Sequence, residues 1–228
     1  MVFGCVTNPV EAGVVPAVDK PTGMAVHGGS GISFGVIERM RAARPMLRSL
    51  ELVHRLDRDT SGVLLLAKKR SALRALHAAL REGRTAKQYL VLVRGDWRLG
   101  ERRVDLPLHK YVTPEGERRV SVHPGGMDAL TVFRPRERVN GATLLEADLH
   151  TGRTHQIRVH LAHLGYPIAG DDKYGDFEWN RDLGRQGLKR MFLHAARFEF
   201  DHPESGVRTS IHSPLAPELS RFLSRVPS

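Results

Sequence analysis

Two short stretches gather ionisable side chains beside turn-forming residues. The first is His54-Arg55-Leu56-Asp57-Arg58-Asp59-Thr60-Ser61-Gly62, which sets two carboxylates among two arginines and then enters the apolar run Val63 to Ala67. A polar loop leading into a buried strand can hold a carboxylate rigidly beside a pocket. Arg55 and Arg58 favour its ionised form and can also reach phosphates. The same residues also describe a solvated charge cluster at a strand entrance. The second stretch is Thr151-Gly152-Arg153-Thr154-His155-Gln156-Ile157-Arg158-Val159-His160. It places Arg153 at a predicted helix N-terminus, where backbone N–H groups and the guanidinium both favour an anion. An anion-facing surface without chemistry is the alternative.

Other chemistries find no support. Gly28, Gly29 and Gly31 suggest a phosphate cradle, but their spacing fits neither the P-loop nor the dinucleotide fingerprint. His155, His160 and His163 are spaced i, i+5, i+8 and make a poor metal-binding face, and no His-Glu-x-x-His motif occurs. The single cysteine, Cys5, rules out an internal disulfide and a cysteine-rich zinc site, and fits a reducing cytosol. No Gly-x-Ser-x-Gly elbow marks a serine hydrolase.

The elements that must carry the two stretches follow from periodicity. Strands are predicted at Val14 to Val18, Val63 to Ala67, Lys87 to Arg94, Met127 to Phe133, Thr143 to Leu149 and Arg197 to Asp201. Val36, Ile37 and Met40 share one helical face, and Leu73, Leu76 and Leu80 another, with Ser71 as its cap. A third helix is predicted from His155 to Leu164, with Gly165 just past its end. Lys20-Pro21-Thr22-Gly23 forms a turn. Strands in consecutive runs predict an α+β fold with a mixed, mainly antiparallel central sheet and flanking helices. Residues 1–13 lack a period and are expected to form a loosely ordered arm before one domain spanning 14–228.

The 228 residues carry 35 Lys and Arg against 25 Asp and Glu, a net charge of +10, and 28 of the cations are arginine. That balance favours polyanionic partners. Aromatic residues make up only 6%, which argues against a base-stacking platform. No apolar run approaches the roughly 20 residues of a membrane span, and no signal peptide is visible, so a cytoplasmic, membrane-free protein is expected.

The stretch His54 to Gly62 resembles the motif that carries the catalytic aspartate of the RluA-type pseudouridine synthases. The family also has the Gly-Arg-Thr-His-Gln-Ile-Arg-Val-His string found here from Gly152 to His160. Asp19-Lys20-Pro21 through Val26-His27, Lys87-Gln88-Tyr89 and Phe192-Leu193-His194-Ala195 agree in the same order, so the likeness covers roughly residues 14–215. His27 to Gly31 and Val53 to Arg74 look most like members acting on large-subunit ribosomal RNA.

The resemblance implies the pseudouridine synthase fold, with an active-site cleft, and a cofactor-free isomerisation of uridine in RNA. Asp57 matches the catalytic aspartate, which either attacks sugar or base or removes a sugar proton. Arg153 matches the arginine that pairs with it, Tyr89 the tyrosine packed on the target base, and Leu193 an apolar residue lining the base pocket. Arg55, Arg58 and Arg158 are expected to contact RNA. No metal, no organic cofactor and no DNA partner are implied, and a monomer is expected. The target class expected is 23S ribosomal RNA; transfer RNA, another RNA, or a non-catalytic role in RNA binding or ribosome assembly are the alternatives. Members of this branch carry a small N-terminal S4 RNA-binding domain, for which the residues before Val14 leave no room.

Overall fold

The computed structural model describes residues 13–28 and 34–225. Most of the expected N-terminal arm, Cys5, and Gly29 to Gly31 of the glycine-rich turn lie outside them. The chain begins with β1 (Ala17–Lys20), α1 (Val36–Ala42), β2 (Glu51–Leu52), β3 (Ser61–Ala67) and α2 (Arg70–Arg81). Then come β4 (Ala86–Arg94), β5 (Arg102–Asp105), β6 (Leu108–Val112), β7 (Arg118–Val122), β8 (Leu130–Val139) and β9 (Ala142–Leu149). The remaining elements are α3 (Gln156–His163), α4 (Phe177–Arg185), β10 (Leu193–Asp201), β11 (Arg208–His212) and α5 (Pro217–Arg225). They fall into two compact units, one holding residues up to Lys87 together with His194–Ala216, the other Gln88–Leu193 and the segment from Pro217 onward.

In the first unit β3 is the spine. All seven of its residues are buried, which explains the uninterrupted apolar run that alternation would have broken. It pairs antiparallel with β1, with Ala17 opposite Leu65 and Lys20 opposite Gly62, and β2 continues it on Ala67 and Leu66. Its contact with β10 is parallel, His194 on Ser61 and Ala195 on Gly62, while β10 pairs antiparallel with β11. The sheet is therefore mixed. Helix α2 covers it with Ala72, Leu76 and half-buried Leu73 and Leu80, against Val63, Leu65, Phe198, Phe200 and Ile211. The predicted leucine stripe is thus the packing face. The helix starts earlier than expected: Lys69 is its N-cap, and Ser71 lies within its first turn.

The second unit is antiparallel. β4 pairs with β9 from Gln88–Asp148 to Arg94–Ala142. β9 turns back onto β8 through Asn140-Gly141, whose φ angles are +33° and +70°. Two positive φ values are what a tight type I′ hairpin requires, and Asn-Gly supplies them at least cost. β5 extends this sheet from β8, and β6 with β7 forms a separate hairpin. The short strands β5 to β7 and helices α4 and α5 were not among the predicted elements.

Candidate active site

Asp57 sits in the loop between β2 and β3, and the first unit fixes that loop from three sides. Lys20, at the end of β1, is fully buried and donates from Nζ to the carbonyls of Pro21 (2.8 Å), Met24 (2.8 Å) and Arg58 (3.0 Å). Thr22 Oγ1 adds a bond to the carbonyl of Asp59 at 2.9 Å. One ammonium therefore ties the β1 turn to the residue following Asp57. On the other side His54 Nε2 accepts the Leu65 N–H at 3.1 Å, and its ring lies 4.8 Å from that of Phe198. Burial, helped by the charge of Lys87, lowers the His54 pKa from 6.5 to about 3, so the ring is neutral and able to accept. The loop closes on itself through Thr60 N–H to the Asp57 carbonyl at 3.2 Å.

Gly62, five residues past Asp57, could be no other residue. Its φ is +108°, and a Cβ there would stand 2.2 Å from the Ala195 carbonyl oxygen. The neighbouring Ser61 hydroxyl is hydrogen-bonded to His194 Nδ1 at 2.9 Å, while His194 Nε2 donates to the Ser213 carbonyl at 3.2 Å. Asp57 itself is half-buried between buried Leu56 and exposed Arg58, and Arg55 is exposed. Arg58 leans on Asp59, with Nε 3.6 Å from Oδ1. The loop thus combines a rigid backbone with two solvent-facing guanidiniums.

Tyr89, Leu193 and Arg153 belong to the second unit. Tyr89 is buried in β4 opposite Ala147 of β9. The approach to Leu193 is braced by its neighbour: Phe192 N–H bonds the Ala169 carbonyl at 2.8 Å, and the Phe192 carbonyl accepts from Leu92 at 3.3 Å. Leu193 is buried, and Arg190 Nε donates to the Met191 carbonyl at 3.2 Å just before it.

The loop carrying Arg153 is organised by Gln156. Its Oε1 accepts from the Arg153 N–H (3.0 Å) and the Thr151 hydroxyl (2.8 Å), and its Nε2 donates to the Leu130 carbonyl (2.9 Å) and Thr131 Oγ1 (3.0 Å). Thr131 and Leu106 also hold buried His160: Nε2 donates to the Leu106 carbonyl at 3.0 Å, leaving Nδ1 to accept from Thr131 Oγ1 at 3.0 Å. Burial lowers the His160 pKa, which keeps it in this neutral form. Helix α3 begins only at Gln156, because His155 is left-handed at φ +54° and serves as the N-cap. His155 Nδ1 lies 2.9 Å from the Tyr174 hydroxyl, itself the acceptor of the Val120 N–H. The Arg153 side chain is half-buried and bonds the Asp128 carbonyl through Nε at 2.9 Å.

Arg158 requires a correction. Its side chain is 5% exposed, and its fork closes on Asp171 with Nε–Oδ2 and Nη2–Oδ1 both at 2.7 Å. A guanidinium sealed in a bidentate pair is not a phosphate contact, so Arg158 leaves the set of RNA-binding candidates. Burial pushes Asp171 up, but the bonds and charge of Arg158 and the N–H groups of Tyr174 and Lys173 outweigh it and hold the carboxyl below its usual range. Asp171 and Lys20 were not singled out for these roles. Helix α3 is buried from Gln156 to Leu161, on every face, so no helical period could separate inward from outward residues. Among the described residues no cluster of three or more His, Cys, Asp or Glu could hold a metal ion.

A mixed, mainly antiparallel α+β chain with this loop and this arginine segment belongs to the RNA pseudouridylate synthase family, whose model matches residues 15–163. The ribosomal large subunit pseudouridine synthase C of Pasteurella multocida (strain Pm70) is 54% identical over 206 residues, covering 90% of this chain and 63% of that protein. Its counterpart in Escherichia coli (strain K12) is 54% identical over 211 residues, covering 92% of this chain and 66% of that one. The chain thus spans just under two thirds of the length of these curated relatives. Among solved structures, human RNA pseudouridylate synthase domain containing 4 aligns with a TM-score of 0.76 at 22% identity, over 97% of this chain and 92% of that one. Human RNA pseudouridylate synthase domain containing 1 aligns at 0.75 and 24% identity, over 93% and 84%. Both show the pseudouridine synthase fold.

Proposed function

We propose that this chain converts uridines of 23S ribosomal RNA to pseudouridine, with Asp57 as the catalytic carboxylate. The observation that carries the reading is the Asp57 loop, tied down by Lys20 and His54 in a chain of this family. The 54% identity to relatives named for the large ribosomal subunit supports the choice of RNA.

The reaction breaks the N1–C1′ bond, turns the retained uracil and joins C5 to C1′, with a proton lost from C5 and one gained at N1. Atoms and electrons balance within the nucleotide, so no redox or metal cofactor is needed. Asp57 attacks the substrate or takes a sugar proton; both steps need the ionised form, which an arginine stabilises. Arg153 is assigned that pairing role, Tyr89 packs the base and helps remove the C5 proton, and Leu193 lines the base pocket. Arg55 supports the flipped nucleotide and Arg58 a phosphate. Extruding the uridine from its stack costs a few kcal/mol, which these contacts repay. Residues 14–228 act as one catalytic domain, monomeric and cytoplasmic. No helix among the described residues is long and apolar enough to cross a membrane.

The test is pseudouridine mapping of ribosomal RNA from cells lacking the gene, complemented with wild type or Asp57→Asn. Loss of particular large-subunit marks, restored by wild type alone, is the expected result. Unchanged large-subunit marks would shift the target to transfer RNA, and silence there would leave a binding protein.

A further inference from the structure

Most arginines of this chain meet an acid. Arg41 reaches Glu51 at 2.9 Å, Arg136 reaches Glu146 at 3.1 Å and Arg138 reaches Asp96 at 2.9 Å. Helix α2 gathers three that do not. Arg70, Arg74 and Arg81 are exposed, and none has a carboxylate partner among the described residues. At about 100° per residue the three project within about 40° of one another, in a line roughly 16 Å long. Beside this line runs a shallow depression of about 520 Å³, lined by Ser71, Arg74, Ala75, His77, Ala78 and Arg81. Ser71, Ala75 and Ala78 keep its floor low and without bulk.

Helix stability does not account for the pattern. Lys68, Lys69 and Arg70 crowd the start of the helix, with no acid in the first turn, where the macrodipole disfavours cations by about 0.3–1 kcal/mol each. Lys69 meets Glu204 at 2.7 Å. From Lys68 to Arg81 there is no Asp or Glu at all. The apolar side of α2 is already spent on the core. The helix is also coupled to the catalytic loop within one unit, since His77 Nε2 donates to the Val53 carbonyl at 3.1 Å, four residues before Asp57.

We propose that the exposed face of α2 is a docking surface for the RNA phosphodiester backbone, engaging substrate away from the reacting uridine. The proposal rests on the RNA reading above. A row of unpaired guanidiniums over small side chains matches a polyanionic chain in charge and in shape, and contacts to phosphates contribute affinity without reading sequence.

The test compares two triple variants of equal charge in the full 228-residue chain. One is Arg70→Gln, Arg74→Gln, Arg81→Gln. The other removes three ion-paired arginines, Arg98→Gln, Arg138→Gln, Arg185→Gln. Glutamine is a good helix former, and thermal melts followed by circular dichroism check that both variants fold. Affinity for a large-subunit ribosomal RNA fragment is measured from about 50 to 300 mM salt, since each lost phosphate contact lowers the slope of log K against log salt by about 0.7–0.9. The α2 triple is expected to lower that slope by about 2 and to weaken binding roughly 30-fold, with the control changing the slope by less than about 0.5. Coincident slopes for the two triples overturn the proposal, because net charge alone would then explain both. Binding to phosphatidylglycerol vesicles lost in the α2 triple, with RNA binding intact, also overturns it and assigns the face to lipid. A wild type that binds and isomerises RNA while the triples coincide sinks only the α2 surface; a wild type that does neither sinks the RNA reading with it.

Discussion

Lys20 ties the Asp57 loop to the turn after β1 through three carbonyls inside the protein, and its removal strands all three acceptors. Lys20→Met is expected to cost about 2–4 kcal/mol in urea unfolding, from charge-assisted bonds lost in a buried site. Lys20→Arg recovers little, because a planar fork cannot converge on three carbonyls as an ammonium does. His54 acts at the same scale through its protonation. Its pKa is about 3 in the folded protein against 6.5 ordinarily, so between those values the unfolded chain binds the extra proton. Stability therefore rises with pH across that window and is lost as pH falls from 6.5 toward 3. The expected slope is about 1.4 kcal/mol per pH unit. Urea titrations at pH 6.5, 5.5 and 4.5 measure it, and His54→Gln, which keeps an acceptor for Leu65, removes that share of the slope.

At the scale of the elements, close approach and buried pairing decide what can change. Gly62→Ala drives a methyl into the Ala195 carbonyl at a backbone angle alanine resists. The expected outcome is a loss of more than about 3 kcal/mol, or no folded protein, in the same assay. Asp171→Asn removes the bidentate counter-charge of buried Arg158 and leaves it exposed Asp172 at 3.7 Å, at a cost of about 3–5 kcal/mol. Arg158→Met with Asp171→Leu recovers much of that, because it buries no charge; chemical melts of the three proteins check the order. These two sites also show what sequence could and could not reveal. The leucines of α2 and the alternation of β4 announced themselves because one face was buried more than the other. The apolar run of β3 was legible as a buried strand. In α3 no face is free, so Arg158 and its inward role were invisible, and Asp171 stands 13 residues away on a loop without a period. The Asp57 loop was legible as a motif, but Lys20, which secures it, lies 38 residues before Arg58, a pairing only the folded chain brings about.

The whole molecule carries a net charge of +10, and one of its cations is held at a disadvantage. Burial lowers the Lys87 pKa from 10.5 to about 8. Between those values the unfolded chain holds a proton that the folded one has released, so stability rises as pH increases from 8 to 10.5. Thermal melts are expected to shift upward between pH 8 and 9.5, and Lys87→Met to flatten that rise. The unit that bears Asp57 is also discontinuous: Phe198, Phe200 and Ile211 complete its core, yet they follow the Gln88–Leu193 segment of the second unit in the chain. Translation at about 5–20 residues per second inserts a delay of roughly 5–20 s between the last residue of the N-terminal part and the first of β10. Throughout that interval β3 lacks its parallel neighbour and the growing polypeptide exposes a hydrophobic core missing Phe198, Phe200 and Ile211. The nascent chain is therefore a natural client for holding chaperones, and truncations before residue 211 should yield aggregates rather than a smaller folded protein, as sedimentation of such fragments would show.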